Sequence, residues 1–193
     1  MIYLASQSPR RAELLRQIGV EHQVYASAID ETRLGTELPE EYVIRMAETK
    51  ARVASAAIRQ TQACALVLAA DTTIAIDDEV IGKPGGQGDC CQILRRLSGR
   101  QHLVLTAVAL VSGDRLESRL SRNQVSFRAL QASEIEAYCA SCEPLDKAGA
   151  YAIQGKAAVF VERLEGSYSA VMGLPLCETA ELLRRADIEI FEL

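Results

Sequence analysis

The 193-residue sequence lacks the features that mark membrane, secreted and nucleic-acid-coating proteins. It has no run of about 18 apolar residues, so no transmembrane helix is predicted. No basic region precedes the apolar start at Met1 to Ser6, which predicts an immediate strand, no signal peptide and a cytoplasmic protein. A net charge of −5 argues against a protein that coats nucleic acid, which would need a broad basic face. Small anionic ligands are still allowed wherever a few Lys and Arg side chains converge.

Cysteine and histidine do not form the pattern of a structural zinc site. The chain has six cysteines and two histidines, and Cys139 and Cys142 form its one C-x-x-C pair. A zinc site needs a second such pair or closely spaced histidines. Because cytoplasmic cysteines are normally reduced, we expect free thiols without a metal or redox role. Cys64 and Cys177 lie in apolar stretches and are predicted to be core residues.

Three common fingerprints of enzyme sites are also missing. There is no G-x-x-x-x-G-K-[ST] segment, which excludes a P-loop enzyme. No G-x-G-x-x-G follows the first strand, which argues against a dinucleotide-binding fold, and no G-x-S-x-G marks a hydrolase nucleophile. Any phosphate site in this protein must therefore be built in another way.

Strands and helices are predicted to alternate along one α/β domain spanning residues 1–193. Strands are predicted near residues 1–6, 22–26, 65–70, 72–76, 79–81, 102–111, 115–127, 158–163 and 188–193. Helices are predicted from Pro9 to about 18, from Pro39 to about 54, up to Leu97, from a Ser133 cap to about 141, and from Leu174. A polar loop is expected at residues 165–169. The hairpin turn at 112–114 implies an antiparallel pair of strands. We therefore expect a mixed sheet with flanking helices, folded as two lobes around a cleft.

The start of the first helix is a candidate anion site. Ser8 is placed to cap the helix, Pro9 occupies its first position, and Arg10 and Arg11 follow. The unpaired N–H groups of a helix N-terminus suit a phosphate. Two arginines in this turn are mildly unfavourable for the helix, so they indicate a bound anion, although solvated arginines would leave the same pattern.

Asp71 is the candidate acid–base residue. It follows the apolar run that ends at Ala70, so we expect it at the end of a strand, where α/β sheets commonly place their sites. A carboxylate there could hold a divalent cation or orient a water for attack on phosphorus. The alternative is a turn aspartate, which the strand-like residues 72–76 disfavour.

Three other charged residues are candidates on weaker patterns. Lys83 lies between Gly82 and Pro84, which fix the backbone and allow close approach to a ligand. Lys50 lies on the long helix, and Glu31 lies in a polar loop as a second carboxylate for a metal. Isolated lysines and loop glutamates are usually solvated surface residues, and that alternative stays open for Lys50 and Glu31.

Nine segments, taken in order, resemble the Maf family of nucleotide pyrophosphatases. They are LASQSPRR (4–11), LL (14–15), AETKA (47–51), ADT (70–72), GKP (82–84), LSG (97–99), EPLDKAGAY (143–151), IQG (153–155) and VMGLPL (171–176). Each is weak alone, but the ordered combination extends over essentially the whole chain and is specific. One departure is Ala70, which stands where a glycine is common.

The resemblance implies a mixed twisted sheet similar to that of inosine triphosphate pyrophosphatases, with a deep cleft between two lobes. It implies hydrolysis between the α- and β-phosphates of a nucleoside triphosphate. Asp71 would activate the water, and Glu31 would join it in holding Mg²⁺ or Mn²⁺. The triphosphate would be held by Ser6, Arg10, Arg11, Lys50 and Lys83. A homodimer is also expected by analogy with the family.

Three positions bear on the base. The family has a branch that resembles dTTP and UTP hydrolases and another that acts on 7-methyl-GTP. In the second branch an aromatic residue replaces the arginine that matches Arg10, and Gln and Glu tend to stand at the positions that match Thr72 and Gln154. This chain has Arg10, Thr72 and Gln154 and therefore resembles the pyrimidine branch. The amide of Gln154 offers a donor and an acceptor, which match N3–H and O4 of uracil or thymine.

Two other functions are compatible with the same resemblance. One is hydrolysis of modified nucleotides, such as 7-methyl-GTP or modified UTP. The other is nucleotide-dependent regulation, because the family is associated with inhibition of septum formation in dividing bacteria. The presence of Asp71 together with the lysines favours catalysis, since a pure binder needs no water-activating carboxylate.

Overall fold

Strands and helices alternate along residues 1–191, the part of the chain that the computed structural model describes. The strands are β1 (Ile2–Leu4), β2 (His22–Val24), β3 (Leu66–Ile76), β4 (Glu79–Ile81), β5 (Gln101–Ser112), β6 (Arg115–Phe127) and β7 (Val161–Glu165). The α-helices are α1 (Pro9–Gln17), α2 (Pro39–Ile58), α3 (Gln87–Leu97), α4 (Ala132–Ala140), α5 (Tyr168–Met172) and α6 (Leu176–Arg185). Two 3₁₀ helices span Ala148–Ala150 and Lys156–Phe160. No helix within the described residues is long and apolar enough to cross a membrane.

One mixed sheet joins all these strands, in the order β2-β1-β3-β5-β6-β7, with β4 paired to β3. β1 is parallel to β2 and β3, and the other pairs are antiparallel. β5 occupies one edge of β3, so β1 and β4 share the other edge, where they pair with residues 66–68 and 74–76. Residues 69–73 of β3 therefore face a gap between two strand neighbours.

Both faces of β3 are buried, but by different helices. On one face, Val67, Ala69 and Ala75 join the apolar cluster that includes α2. On the other face, Leu68 and Ala70 pack in a cluster with residues of α1 and α6. Further along the same face, Ile74 and Ile76 belong to a separate cluster with residues of α3 and α4. Because side chains alternate along a strand, the residues on this face change from one apolar cluster to the other near Thr72.

Small residues let α2 lie close to the sheet. Val43, Ala47, Ala51 and Ala54 recur at helical spacing and are fully buried against it. Lys50 lies next to this stripe, so the close packing brings its side chain within reach of β3. An alanine-lined contact is sensitive to added volume, and overpacking such a site costs about 1–3 kcal/mol.

The structure confirms the mixed α/β fold and corrects several element boundaries. β3 is continuous, so Asp71 lies inside a strand and not at its end. α4 begins before the predicted Ser133 cap, because Glu134 accepts a hydrogen bond from the backbone N–H of Gln131, the true N-cap. β7 begins at Val161, after a 3₁₀ helix.

The C-terminal third differs from the prediction in two more places. The expected loop at 165–169 ends in the short helix α5, whose N-cap Ser167 accepts a hydrogen bond from the N–H of Ala170. Its five residues are too few to show a helical period. The strand predicted at 188–193 is absent from residues 188–191, and the remaining two residues lie outside the described part.

The cysteines also depart from expectation. Cys90 of α3 and Cys139 of α4 form a disulfide in the core between these helices, so the prediction of six free thiols is wrong. The pairing joins residues 49 positions apart, a proximity that a local spacing pattern does not reveal. Cys64 and Cys177 are exposed and not core residues.

Candidate active site

The gap on the edge of β3 opens into a cleft of about 780 Å³. β1 runs parallel to β3 and β4 runs antiparallel, and the register points the carboxyl ends of both toward the gap. The loop after β1 supplies Ser6, and the loop after β4 supplies Lys83. Asp71 and Thr72 occupy the gap itself. The site therefore lies at strand ends, as expected, but these are the ends of β1 and β4. Asp71 lies inside β3, beside those two ends.

All nine residues predicted as site residues line this one cleft. They are Ser6, Arg10, Arg11, Glu31, Lys50, Asp71, Thr72, Lys83 and Gln154. The structure thus brings the whole predicted set together, from the N-terminal loop to the loop before residue 156. The chemical role of each residue stays a prediction at this point.

Lys50 is the ionic centre of the cleft. Its Nζ lies 2.6 Å from Oδ1 of Asp71 and 2.6 Å from Oε1 of Glu31. The side chains of Lys50 and Asp71 are each 13% exposed, and that of Glu31 is 51% exposed. The hydrogen bond from Lys50 lowers the pKa of Glu31, against the opposing effect of burial. The carboxylates of Asp71 and Glu31 are thus held close together by one Lys50 ammonium.

Tyr42 supports this group from α2. Its hydroxyl donates to the backbone carbonyl of Glu31 at 3.0 Å, which ties the polar loop to the helix. Burial, followed by the charges of Asp71 and Glu31, raises the pKa of Tyr42. The phenol therefore stays protonated and keeps its donor role at neutral pH. Tyr42, Met46 and Lys50 recur every four residues, a spacing that could have revealed Tyr42 in the sequence.

Arg11 is a partly buried cation without a direct carboxylate partner among residues 1–191. Its Nε donates to the Gly173 carbonyl at 2.7 Å, Nη1 to Ser6 Oγ at 3.1 Å, and Nη2 to Thr72 Oγ1 at 3.2 Å. All three acceptors are neutral. Burial lowers the pKa of Arg11, while the more distant charge of Asp71 opposes that shift. Two of the five guanidinium N–H groups are left over, and an anion would satisfy them and compensate the charge.

The helix start beside Arg11 is also open to an anion. Ser8 is the N-cap of α1, as predicted, but its side chain makes no capping hydrogen bond, and the first turn contains no acidic residue. Ser6 Oγ accepts from Ser8 N at 3.2 Å and from Arg11, so its own proton is still free to donate. Within residues 1–191, Arg10 and Lys83 have no carboxylate oxygen within 4.0 Å.

Sequence reasoning missed Lys147 as a residue of the cleft. Its side chain is 13% exposed, pairs with Asp146, and lines the cleft with it. Lys147 follows an acid and precedes the turn at Ala148–Ala150, and it belongs to the EPLDKAGAY segment of the family resemblance, although it is not among the predicted site residues. Of the described residues, five basic and three acidic side chains line the cleft, so the cleft is locally positive although the chain carries a net negative charge. This is the local convergence that an anionic ligand requires.

The acidic residues of the cleft could hold a divalent cation only with help from a ligand. Among the described residues there is no group of three or more His, Cys, Asp or Glu side chains suited to a metal. Asp71 and Glu31 nevertheless converge on one cationic centre, the Lys50 ammonium. Mg²⁺ is typically bound by one or two carboxylates together with substrate phosphates and waters, and these two residues fit that donor set.

The chain is similar over nearly its whole length to a known family and to named relatives. The family described as "Maf-like protein" matches residues 1–186. A protein of Methylobacillus flagellatus is 50% identical over 189 residues, 98% of this chain and 94% of its own length. One from Aromatoleum aromaticum is 51% identical, over 94% of this chain and 93% of its own. One from Alkalilimnicola ehrlichii is 51% identical, over 97% and 94%. Each of the three is named dTTP/UTP pyrophosphatase.

Proposed function

The chain belongs to the Maf family, and from that membership and its cleft we propose that it is a nucleoside triphosphate pyrophosphatase acting on dTTP and UTP. Water attacks the α-phosphorus, the bond from that phosphorus to the α–β bridging oxygen breaks, and the products are the nucleoside monophosphate and pyrophosphate. The proton lost by the water goes first to a base of the enzyme. One observation carries the proposal: residues from distant parts of the chain converge on a locally positive cleft around Lys50 and Asp71.

The basic residues are proposed to bind the triphosphate. Arg11 brings two unused N–H groups to it, and Ser6 brings its free hydroxyl proton. Arg10 and Lys83 lie on opposite sides of the gap, one after β1 and the other after β4. Charge-assisted hydrogen bonds of this kind are about twice as strong as neutral ones and give a phosphate its orientation.

Asp71 is proposed to be the general base. Its carboxylate lies in the cleft with one oxygen bound to Lys50, so the group is held in place and its other oxygen can accept a proton from water. Lys50 is proposed to hold a phosphate oxygen as well. Its ammonium has three protons, and its two carboxylate contacts leave one of them for the substrate.

Asp71 and Glu31 are proposed to hold Mg²⁺ or Mn²⁺ together with the substrate phosphates. Such a cation supplies neutralisation of phosphate charge and polarisation of the phosphorus–oxygen bonds when bound. The support is the convergence of the two carboxylates on one cationic centre.

The base is proposed to be a pyrimidine read by Gln154. This side chain is exposed at the cleft and makes no hydrogen bond within residues 1–191, so both its donor and its acceptor are available. Arg10 and Thr72 are the other residues at which the pyrimidine branch is expected to differ. The names of the relatives agree with this choice.

Pyrophosphate release from a panel of nucleotides tests the proposal. With Mg²⁺ or Mn²⁺, dTTP and UTP should be hydrolysed faster than CTP, GTP or 7-methyl-GTP. Reaction in H₂¹⁸O should place the label in the monophosphate, because attack is at the α-phosphorus. Release of orthophosphate in place of pyrophosphate would contradict the reaction. A preference for 7-methyl-GTP or a modified UTP would favour the house-cleaning alternative.

A regulatory role without turnover is the second candidate, and the same assay separates it. A regulator would bind dTTP or UTP in a calorimeter but release no pyrophosphate with either metal. The Asp71–Lys50 pair favours turnover, because a pure binder has no need of a carboxylate beside the basic residues of a phosphate-binding cleft.

We also propose that the protein is a cytoplasmic homodimer, on the strength of the family resemblance and of a nucleotide substrate. The buried Cys90–Cys139 disulfide counts against a reducing compartment. The redox state of these cysteines in cell extracts tests the location, and light scattering of the purified protein tests the dimer.

A further inference from the structure

We propose that Thr106 is a positioning residue that holds the Arg11 guanidinium in place through Thr72, an inference that rests on the proposed function. Thr106 lies on β5, is fully buried, and does not line the cleft. It stands directly opposite Thr72 in the β3–β5 register. Directly opposite residues of an antiparallel pair point to the same face of the sheet, so the two hydroxyls meet.

The hydrogen bonds form a chain with one direction. The Thr106 hydroxyl lies 2.7 Å from the Ala170 carbonyl and 3.1 Å from Thr72 Oγ1. A carbonyl cannot donate, so the single proton of Thr106 is used on Ala170, and Thr72 supplies the proton between the two threonines. Thr72 in turn accepts from Nη2 of Arg11 at 3.2 Å. The chain therefore runs from Arg11 through Thr72 and Thr106 to Ala170.

The same short segment also holds the other side of Arg11. Nε of Arg11 donates to the carbonyl of Gly173, three residues after Ala170. The two ends of the chain are thus anchored on α5 and the residue that follows it. A closed ring of hydrogen bonds fixes the guanidinium against β3, β5 and α5 at once. The proton of the Thr72 hydroxyl and one of its two lone pairs are engaged inside the ring, so this hydroxyl has no proton left to donate to the substrate.

Removing the Thr106 hydroxyl should weaken triphosphate binding more than it slows the chemical step. Thr106→Val keeps the shape of the side chain but breaks the ring. We expect the KM for dTTP to rise about tenfold, equivalent to about 1.4 kcal/mol, with a much smaller change in kcat. Thr106→Ser restores the hydroxyl and should restore the KM. Thr179→Val is the matched control, because Thr179 is also fully buried but its hydroxyl has no hydrogen-bond partner within the described residues.

Calorimetry with inorganic triphosphate gives a second measurement that needs no turnover. Thr106→Val should lose affinity for it about tenfold, and Thr106→Ser and Thr179→Val should not. Wild-type KM and affinity in Thr106→Val, or a defect in Thr106→Ser equal to that of Thr106→Val, would overturn the inference. If Thr106→Val does not fold, Thr106→Cys replaces it with the same expectation, since a thiol is a weak donor. Absence of pyrophosphate release by the wild-type protein would overturn the proposed function alone, because the binding measurement still decides the role of Thr106.

Discussion

Replacement of Asp71 by Asn removes the proposed base while leaving its surroundings nearly unchanged. The two side chains have the same shape, and the amide oxygen of Asn can still accept the hydrogen bond that Lys50 donates at 2.6 Å. Lys50 also keeps its second ion pair, with Glu31. No buried cation is left without a partner, so the large penalty for breaking a buried ion pair does not apply.

The expected effects on stability and activity are therefore very different in size. The unfolding free energy should fall by at most about 1 kcal/mol, which lowers the melting temperature by about 2–4 °C in a chain of this length. Loss of a general base typically costs a factor of 10² to 10⁴ in rate. That is about 3 to 5 kcal/mol in the activation barrier. A folded protein with a large loss in kcat is the expected result.

Steady-state pyrophosphate release from dTTP, measured by a coupled phosphate assay, separates these effects. Asp146→Asn is the matched control, because Asp146 lines the same cleft and loses the same charge without contact to Lys50. The Asp146 side chain is 73% exposed, so the kcat of Asp146→Asn should change by less than about fivefold. Full activity of Asp71→Asn would refute the assignment of the base. An equal loss in Asp146→Asn would show that the charge of the cleft, and not proton transfer, is what matters.

Three other predictions concern the frame around the site. Burial lowers the pKa of His102 from 6.5 to about 4, so the unfolded chain binds a proton at this histidine before the folded chain does as the pH falls. The contribution of His102 to the unfolding free energy should therefore be constant above about pH 6.5 and drop by up to about 3 kcal/mol toward pH 4. This drop should be missing in His102→Gln. Thiol titration of the unreduced, denatured protein should find four free cysteines, and six would contradict the disulfide. Reduction of Cys90–Cys139 should lower the unfolding free energy by about 4 kcal/mol, from the chain entropy of a loop of this length. A methyl group at Gly155 would overlap the carboxylate of Glu143, so Gly155→Ala should lower the unfolding free energy by about 1–3 kcal/mol. The same change should weaken discrimination between nucleotide bases, because Gly155 follows Gln154 directly. An unchanged melting temperature would show that the loop moves to accommodate the methyl group.

Local signals were sufficient where a single turn of chain decides the structure. Pro9 and Pro39 were predicted to open helices and do so, because proline fits the first helical position, which needs no N–H donor. The strands predicted at 72–76 and 79–81 are likewise separated by a turn, in which Asp77 and Asp78 both adopt positive φ. In each case the residues that determine the conformation are adjacent in sequence.

Non-local pairing could not be predicted in the same way. Nothing in residues 65–76 indicates how far a neighbouring strand extends, so the apolar run predicts a strand end at Ala70, whereas β3 continues to Ile76. Thr106 gave no signal at all, because its role depends on its register opposite Thr72. The Cys90–Cys139 contact likewise depends on how α3 and α4 pack.

The gap in the edge of β3 explains why two consecutive residues can serve opposite sides of the site. Asp71 points to the face covered by α2 and meets Lys50, while Thr72 points to the other face and meets Arg11. A shift of one residue in the register of β3 would exchange the two side chains and remove both contacts. The register is in turn fixed by the alternating apolar residues on either side of the gap, which pack into separate clusters. The apolar cores on either side of the gap, and not the residues of the cleft, therefore determine that the carboxylate and the arginine face the same cleft.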